Sequence, residues 1–272
     1  MQENFTGPAS NPSSIFSIQR SRSPLVGTAI HDGHQVWPQL AEKMALDAEG
    51  RLREEDPFTA QFIAEIPNQL IVHRSRFELD LNRAAEGAIY FHPDQAWGLR
   101  VWREQPAADE VARLMRQHAS YYSALRHMLS DIEAEHGRFV LLDMHSYNHR
   151  RDGPSSLPTP QDAAPDINIG TFSMDRERWA HVLDPFIERL RQCNVQGRPL
   201  DVRENVAFVG KGEQTRFVHE HFPATGCAIA VEVKKIFMDE WTGQPDQWVI
   251  HALRQAFAST LPLLEKALGA QA

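Results

Sequence analysis

Two imidazoles three residues apart, His31 and His34, follow the apolar run 24–30 and bracket Asp32 and Gly33. Imidazole is a favoured ligand of zinc and its neighbours, and a loop at the mouth of a buried strand suits it. Far downstream, Phe139-Val140-Leu141-Leu142 runs into Asp143-Met144-His145-Ser146, and Ala228-Ile229-Ala230-Val231 runs into Glu232. A catalytic zinc takes three protein ligands and leaves a position open. His31, His34 and His145 are one set that fits; unconnected surface histidines are the alternative that spacing alone leaves standing. Asp143 and His145 are two apart, so on a strand both project to one face, and Asp143 would orient an imidazole from behind. Asp32 is the corresponding carboxylate of the first loop.

Glu232 stands alone among apolar neighbours. A carboxylate so placed must be paired, metal-bound or held partly neutral, because burying a bare charge is expensive. It reads either as a general base beside activated water or as a salt bridge to Lys234, Lys235 or an arginine. Arg83, with Arg76 and Glu78 upstream, has the planar fork that suits a substrate carboxylate, and a structural ion pair is its plainer role. Glu55 and Asp56 are further ligand candidates, although Asp56 before Pro57 also reads as a helix cap. The sequence contains no Gly-x-Ser-x-Gly, no His-Glu-x-x-His, no P-loop and no Cys-x-x-Cys.

The elements that would position these residues can be read from patterning. Residues 24–30, 68–74, 138–144, 167–171, 202–209 and 227–233 read as strands, mostly short and apolar rather than alternating. The strongest helical signal covers 107–135, where Val111, Leu114, Met115, Tyr122, Leu125, Met128, Leu129 and Ile132 recur at three and four residues, and Gly137 stops it. Further helices are expected from Pro38 to Met44 or Leu46, after Asp56, and over 176–192, 213–221 and 245–268. The stretch 149–165, with four prolines, reads as a functional flap. Strands alternating with helices predict an α/β fold, with a mainly parallel or mixed central sheet flanked by helices on both faces. In such sheets ligands gather beyond the carboxyl ends of the strands, where His31, His145 and Glu232 all fall.

The chain of 272 residues is long enough for one large domain, expected over 21–272 after a polar tail at 1–20. A net charge of −8 and no basic stripe argue against nucleic-acid binding. No run approaches the roughly 18–20 apolar residues that cross a bilayer, and the tail lacks a signal-peptide core. Cys193 and Cys227 are too few for a disulfide framework and suit a reducing cytoplasm. Thirteen histidines raise the prior on metal or acid–base chemistry.

Five stretches taken together resemble the N-formylglutamate amidohydrolase family, relatives of the zinc carboxypeptidases and aspartoacylases. They are Ala29-Ile30-His31-Asp32-Gly33, Asp80-Leu81-Asn82-Arg83, Leu142-Asp143-Met144-His145-Ser146, Pro165-Asp166-Ile167-Asn168-Ile169-Gly170-Thr171 and Val231-Glu232-Val233-Lys234-Lys235-Ile236-Phe237-Met238-Asp239-Glu240. The resemblance implies a phosphorylase/hydrolase-like fold and zinc-dependent cleavage of N-formyl-L-glutamate to formate and L-glutamate. Carried over by position, it makes His31 and His145 metal ligands and Glu232 the catalytic carboxylate. Arg83, after Asn82 and with Arg76 nearby, would hold the substrate carboxylate. Relatives with a His-x-x-Glu pair place a ligand where His34 stands, which puts His34 ahead of Glu55 or Asp56 as the second ligand. The family's usual Pro-His-Ser-Gly stands here as Ile30-His31-Asp32-Gly33. Zinc is the expected cofactor, with manganese, iron or cobalt suited to the same donors. The expected partner is a small molecule, with neither nucleic acid nor membrane involved. Alternative expectations are a related zinc hydrolase for another N-acyl amino acid or short peptide, and a non-catalytic metal- or ligand-binding accessory protein.

Overall fold

Three runs of nearly unbroken apolar sequence become the middle of one sheet, because a strand covered on both faces has no use for alternation. In the computed structural model, which describes residues 14–269, the strands are β1 (Phe16–Gln19), β2 (Leu25–Ala29), β3 (Asn68–Val72), β4 (Phe139–Tyr147), β5 (Ile167–Gly170), β6 (Asn194–Val195), β7 (Arg198–Pro199), β8 (Val202–Glu204) and β9 (Gly226–Lys234). Seven of them form one sheet in the order β1-β3-β2-β4-β9-β5-β8, while β6 and β7 form a separate ribbon. β3, β2, β4 and β9 run parallel; β1 is antiparallel to β3, β5 antiparallel to β9, and β8 parallel to β5. The sheet is therefore mixed around a parallel centre. β4, buried along its whole length, is the middle strand.

The helices are α1 (Pro38–Ala41), α2 (Ala48–Glu54), α3 (Thr59–Phe62), α4 (Ala108–His136), α5 (Ala180–Arg191), α6 (Glu213–His221), α7 (Gln247–Ala258) and α8 (Leu261–Gly269). They cover both faces and make two cores. One packs Phe62, Leu183, Phe186, Leu253, Phe257 and Leu264 against Val140, Leu142, Ile229 and Val231. The other packs Leu114, Tyr121, Leu125, Leu129 and Val218 against Val26, Leu141 and Ala228. Side chains alternate along a strand, so the face that buries Val26, Leu141 and Ala228 also carries Thr28, then Asp143 and His145, then Ala230 and Glu232. The sheet register puts Thr28 beside Asp143 and His145 beside Glu232. That face is apolar under α4 and α6 and turns polar toward the strands' carboxyl ends, which is what places the site.

Several elements depart from expectation. Residues 16–19 of the expected tail form the edge strand β1, where Phe16 meets Tyr121 edge-on at 5.6 Å between ring centroids; residues 1–13 of that tail lie outside the described residues. The helix expected to run to Met44 or Leu46 is the single turn α1, and that expected over 176–192 begins at Ala180. The C-terminal helix divides at Ser259 and Thr260. Pro262 has no amide to continue the ladder, and its ring opposes the carbonyl four residues earlier. The strand expected over 202–209 ends at Glu204, since Asn205 takes a left-handed φ of 56°, and residues 205–212 become a loop over the site. Among the described residues no helix is long and apolar enough to cross a membrane.

Candidate active site

His31 leaves the end of β2 and His145 sits near the end of β4, both buried, with ring centroids 4.9 Å apart. The third member of the cluster is Asp56, in the turn between α2 and α3. Its Oδ2 lies 3.2 Å from His31 Nδ1 and 3.0 Å from His145 Nδ1, and its backbone N–H donates to the His31 carbonyl at 3.0 Å. One donor atom from each of the three lies within 4.8 Å of the others, and all three residues are buried. Two imidazoles and a carboxylate so gathered form a site capable of holding a metal ion. Burial alone would raise the Asp56 carboxyl, but the hydrogen bonds and charge of His145 and His31 override it and hold it far below its ordinary range. For His145, burial works against the proton, yet Asp143 and Asp56 raise it well above the usual imidazole value. The same negative surroundings favour a divalent cation.

Each imidazole is braced from behind. His31 Nε2 lies 2.7 Å from Asp80 Oδ1, and Asp80 Oδ2 accepts from Arg76 at 2.8 Å and from the Tyr90 hydroxyl. His145 Nε2 lies 3.1 Å from Asp143 Oδ1, as expected of a carboxylate two residues away on the same face. That oxygen also accepts from Thr28 at 3.2 Å and from the Gln214 amide of α6, which Tyr121 holds in turn. Asp143 Oδ2 is buried and without a hydrogen-bond partner. An unpaired carboxylate oxygen behind the His145 imidazole adds negative charge near the cluster, and fits the cation that the three donors imply.

Glu232 is half-buried on the same wall. Neither lysine next to it is its partner: Lys234 pairs with Asp166 at 3.1 Å, and Lys235 donates to the backbone carbonyls of Arg53 and Glu55. No hydrogen bond or ion pair joins Glu232 to any other described residue. Burial pushes its carboxyl up to about 7; the charge of His145 opposes that shift, and those of Asp56 and Asp143 add to it. A cavity of about 410 Å³ opens over the cluster, lined among others by Asn82, Arg83, Trp97, Phe208, Lys211 and Glu232. Roughly this volume holds a small molecule. Arg83 is exposed at its rim, and the Asn82 amide reaches His145 Nε2 at 3.3 Å.

Three expected residues, His34, Glu55 and Asp32, fall elsewhere. His34 turns away: its Nδ1 lies 2.6 Å from Glu55 Oε2, and its side chain is 41% exposed, so these two candidate ligands satisfy each other. Gly33 causes the turn, for its Cα packs so tightly on the His73 carbonyl that an added Cβ would lie 2.2 Å from it. Asp32 touches neither imidazole; it accepts from the Ala60 N–H at 3.0 Å and caps α3 instead. Asp56, which the sequence offers both as a cap and as a further ligand, joins the two imidazoles as the ligand candidate. Arg76 lines the cavity, but its charge is spent on Asp80 and its guanidinium lies 4.8 Å from the Trp97 ring centroid. Patterning missed Asp80, Thr28 and Gln214 as braces. The signal available for Thr28 was a polar residue on an otherwise apolar strand.

Arginine and carboxylate flank a buried metal-ligand cluster, the arrangement of a metal-dependent hydrolase active site. The family model for N-formylglutamate amidohydrolase matches residues 23–238. Among solved structures, the N-formylglutamate amidohydrolase of Ralstonia eutropha JMP134 is similar, at 18% identity and a TM-score of 0.70, covering 93% of this chain and 97% of that one. A gene product of Agrobacterium tumefaciens is similar at 14% identity and a TM-score of 0.61, covering 92% and 95%. No curated protein matches the chain by sequence. Most of the chain, including His31, Asp56, His145 and Glu232, lies inside the matched region, and the chain belongs to the N-formylglutamate amidohydrolase family.

Proposed function

We propose that the chain is a zinc-dependent amidohydrolase that cleaves N-formyl-L-glutamate to formate and L-glutamate. The observation that carries this reading is the convergence of His31, Asp56 and His145 with an unpaired Glu232 on one cavity wall. Two imidazoles and one carboxylate are a donor set that catalytic zinc favours, and the cavity suits a small substrate rather than a folded one. Asp56 takes the second ligand position in preference to His34.

When bound, the metal supplies Lewis-acid polarisation of the amide carbonyl and acidifies water. Glu232 takes the proton of the attacking water and delivers it to the leaving amine nitrogen. Burial keeps its carboxyl close to neutrality, so it both accepts and returns a proton near physiological pH. Arg83 at the rim holds the substrate carboxylate through its planar fork and so fixes the amide over the cluster. Asp80 and Asp143 keep the two imidazoles in one orientation, which spares the site that reorganisation.

The direct test is release of formate and L-glutamate from N-formyl-L-glutamate by the zinc-loaded protein, run beside a panel of other N-acyl amino acids. Turnover of the formyl compound that disappears with chelation and returns with zinc supports the reading. Turnover of other N-acyl amino acids alone would reassign the substrate. Stoichiometric zinc with no amide turnover would make the chain a binding protein.

A further inference from the structure

The loop after β8 carries Lys211 between Gly210 and Gly212, and neither glycine has room for a side chain. An added Cβ on Gly210 would lie 2.7 Å from the carbonyl carbon of Gly170, and on Gly212 2.4 Å from Asn82 Oδ1. The rest of the loop is tied down as firmly. Asn168 Oδ1 accepts from the N–H groups of Val206 and Ala207, each at 2.9 Å, and its amide donates to the Phe208 carbonyl at 2.7 Å. The Phe172 N–H donates to the Val209 carbonyl at 2.8 Å, and the Glu213 N–H to the Asn82 carbonyl at 3.1 Å. The backbone on both sides of Lys211 is thus pinned, on one side to β5 and on the other to the residue that precedes Arg83.

Lys211 and Arg83 both line the cavity and both are exposed there. Neither the ammonium nor the guanidinium is in an ion pair or hydrogen bond among the described residues, in contrast to Arg76, which Asp80 neutralises. The Lys211 ammonium rests 4.6 Å from the centroid of the exposed Phe172 ring, a contact that parks the charge without cancelling it. A rigid loop that presents an unneutralised ammonium to the same cavity as an unneutralised guanidinium suits a ligand with two anionic groups. One carboxylate satisfies the Arg83 fork. A ligand with a neutral side chain leaves Lys211 with nothing to bind.

We propose that Lys211 is a specificity-determining residue, which holds the second carboxylate of a dicarboxylic N-acyl amino acid while Arg83 holds the first. The assignment rests on the hydrolase reading above for its reaction, and on the loop for its charge preference. The experiment compares hydrolysis of N-formyl-L-glutamate and N-formyl-L-glutamine by the zinc-loaded wild type, Lys211→Met and Lys211→Arg, with calorimetric titration of L-glutamate and L-glutamine into the same proteins. A charged hydrogen bond of this kind corresponds to about a 10–100-fold change. Lys211→Met should lose about that factor in kcat/KM on N-formyl-L-glutamate, chiefly through KM, and keep its rate on N-formyl-L-glutamine. Lys211→Arg should retain most of the preference. Equal losses on both substrates, or none, would overturn the assignment. If the wild type hydrolyses neither compound, the hydrolase reading fails and the titrations decide. Tighter binding of L-glutamate than L-glutamine that Lys211→Met abolishes supports the subsite, while equal binding or no binding by the wild type overturns it.

Discussion

Glu232 combines two properties that pull against each other: it is the only carboxylate of its strand, and it has no hydrogen-bond or ion-pair partner among the described residues. Its carboxyl is pushed up to about 7 by burial, against an ordinary value of 4.5. A raised carboxyl costs the folded state nothing while protonated, and the cost grows as pH rises from 4.5 through 7, where it is fully expressed. The metal-free Glu232→Gln variant should therefore be more stable than wild type at pH 8 by about 1–3 kcal/mol, and equal to it near pH 4, as thermal melts at the two pH values would show. The same variant should keep its metal and lose roughly 10²–10⁴ in turnover; near-normal hydrolysis would remove Glu232 from the role of base. The acid limb of kcat/KM should lie at pH 7 or below, since a bound cation would pull the carboxyl down from that raised value, and should vanish in the variant. Glu232 was legible because a lone acid in an apolar strand demands an explanation. Asp56 was legible only as a lesser candidate, because an aspartate before a proline looks like a cap. His34 misled because spacing does not show that Gly33 packs against the chain at His73 and sends the next side chain outward.

The element that brings Asp56 to the two imidazoles is the turn between α2 and α3. It is held by the Asp56 N–H on the His31 carbonyl and by the Lys235 ammonium on the carbonyls of Arg53 and Glu55. Burial pushes Lys235 down to about 8, so it is a charge kept at some expense to hold this turn. Lys235→Met should leave two carbonyls unsatisfied and weaken metal binding about tenfold, with the sheet intact by circular dichroism; unchanged metal affinity would show that the turn holds itself. α6 is a second such element, carrying Gln214 to Asp143 and His219 to β9. The Ala228 N–H donates to His219 Nε2 at 3.1 Å, so the ring's proton is on Nδ1 and faces Ser173 at 2.9 Å. Burial pushes His219 down to about 4 from 6.5. A depressed imidazole contributes its full stability above pH 6.5 and loses it as pH falls toward 4. Wild type should lose about 1–3 kcal/mol over that window relative to His219→Gln, and parallel denaturation curves at pH 7 and 4.5 would contradict this. Helix α4 and its stop at Gly137 were plain from periodicity. The break between α7 and α8 was written in Pro262, and the shortening of β8 depended on the left-handed Asn205, which no pattern of hydrophobicity records.

At the scale of the whole molecule, a parallel centre gathers the carboxyl ends of β2, β4 and β9, and the site forms where one face passes from apolar to polar. The α/β class and the strand ends that carry His31, His145 and Glu232 were readable, since buried parallel strands are continuous apolar runs. The antiparallel placement of β5, the edge strand β1 and the lid loop at 205–212 were not, because each depends on contacts far apart in sequence. The three candidate ligands come from separate segments, so a cation that binds them would cross-link the fold. Chelation should lower the melting temperature, by an amount that grows with the free metal concentration used in the loaded sample. The central claim is that His31, Asp56 and His145 hold the metal and His34 does not. It is tested most directly by elemental analysis of metal per chain in wild type, Asp56→Ala and His34→Ala, each equilibrated with zinc and desalted. The account predicts about one metal in wild type and His34→Ala, and little or none in Asp56→Ala. Full loading of Asp56→Ala together with loss from His34→Ala would contradict it.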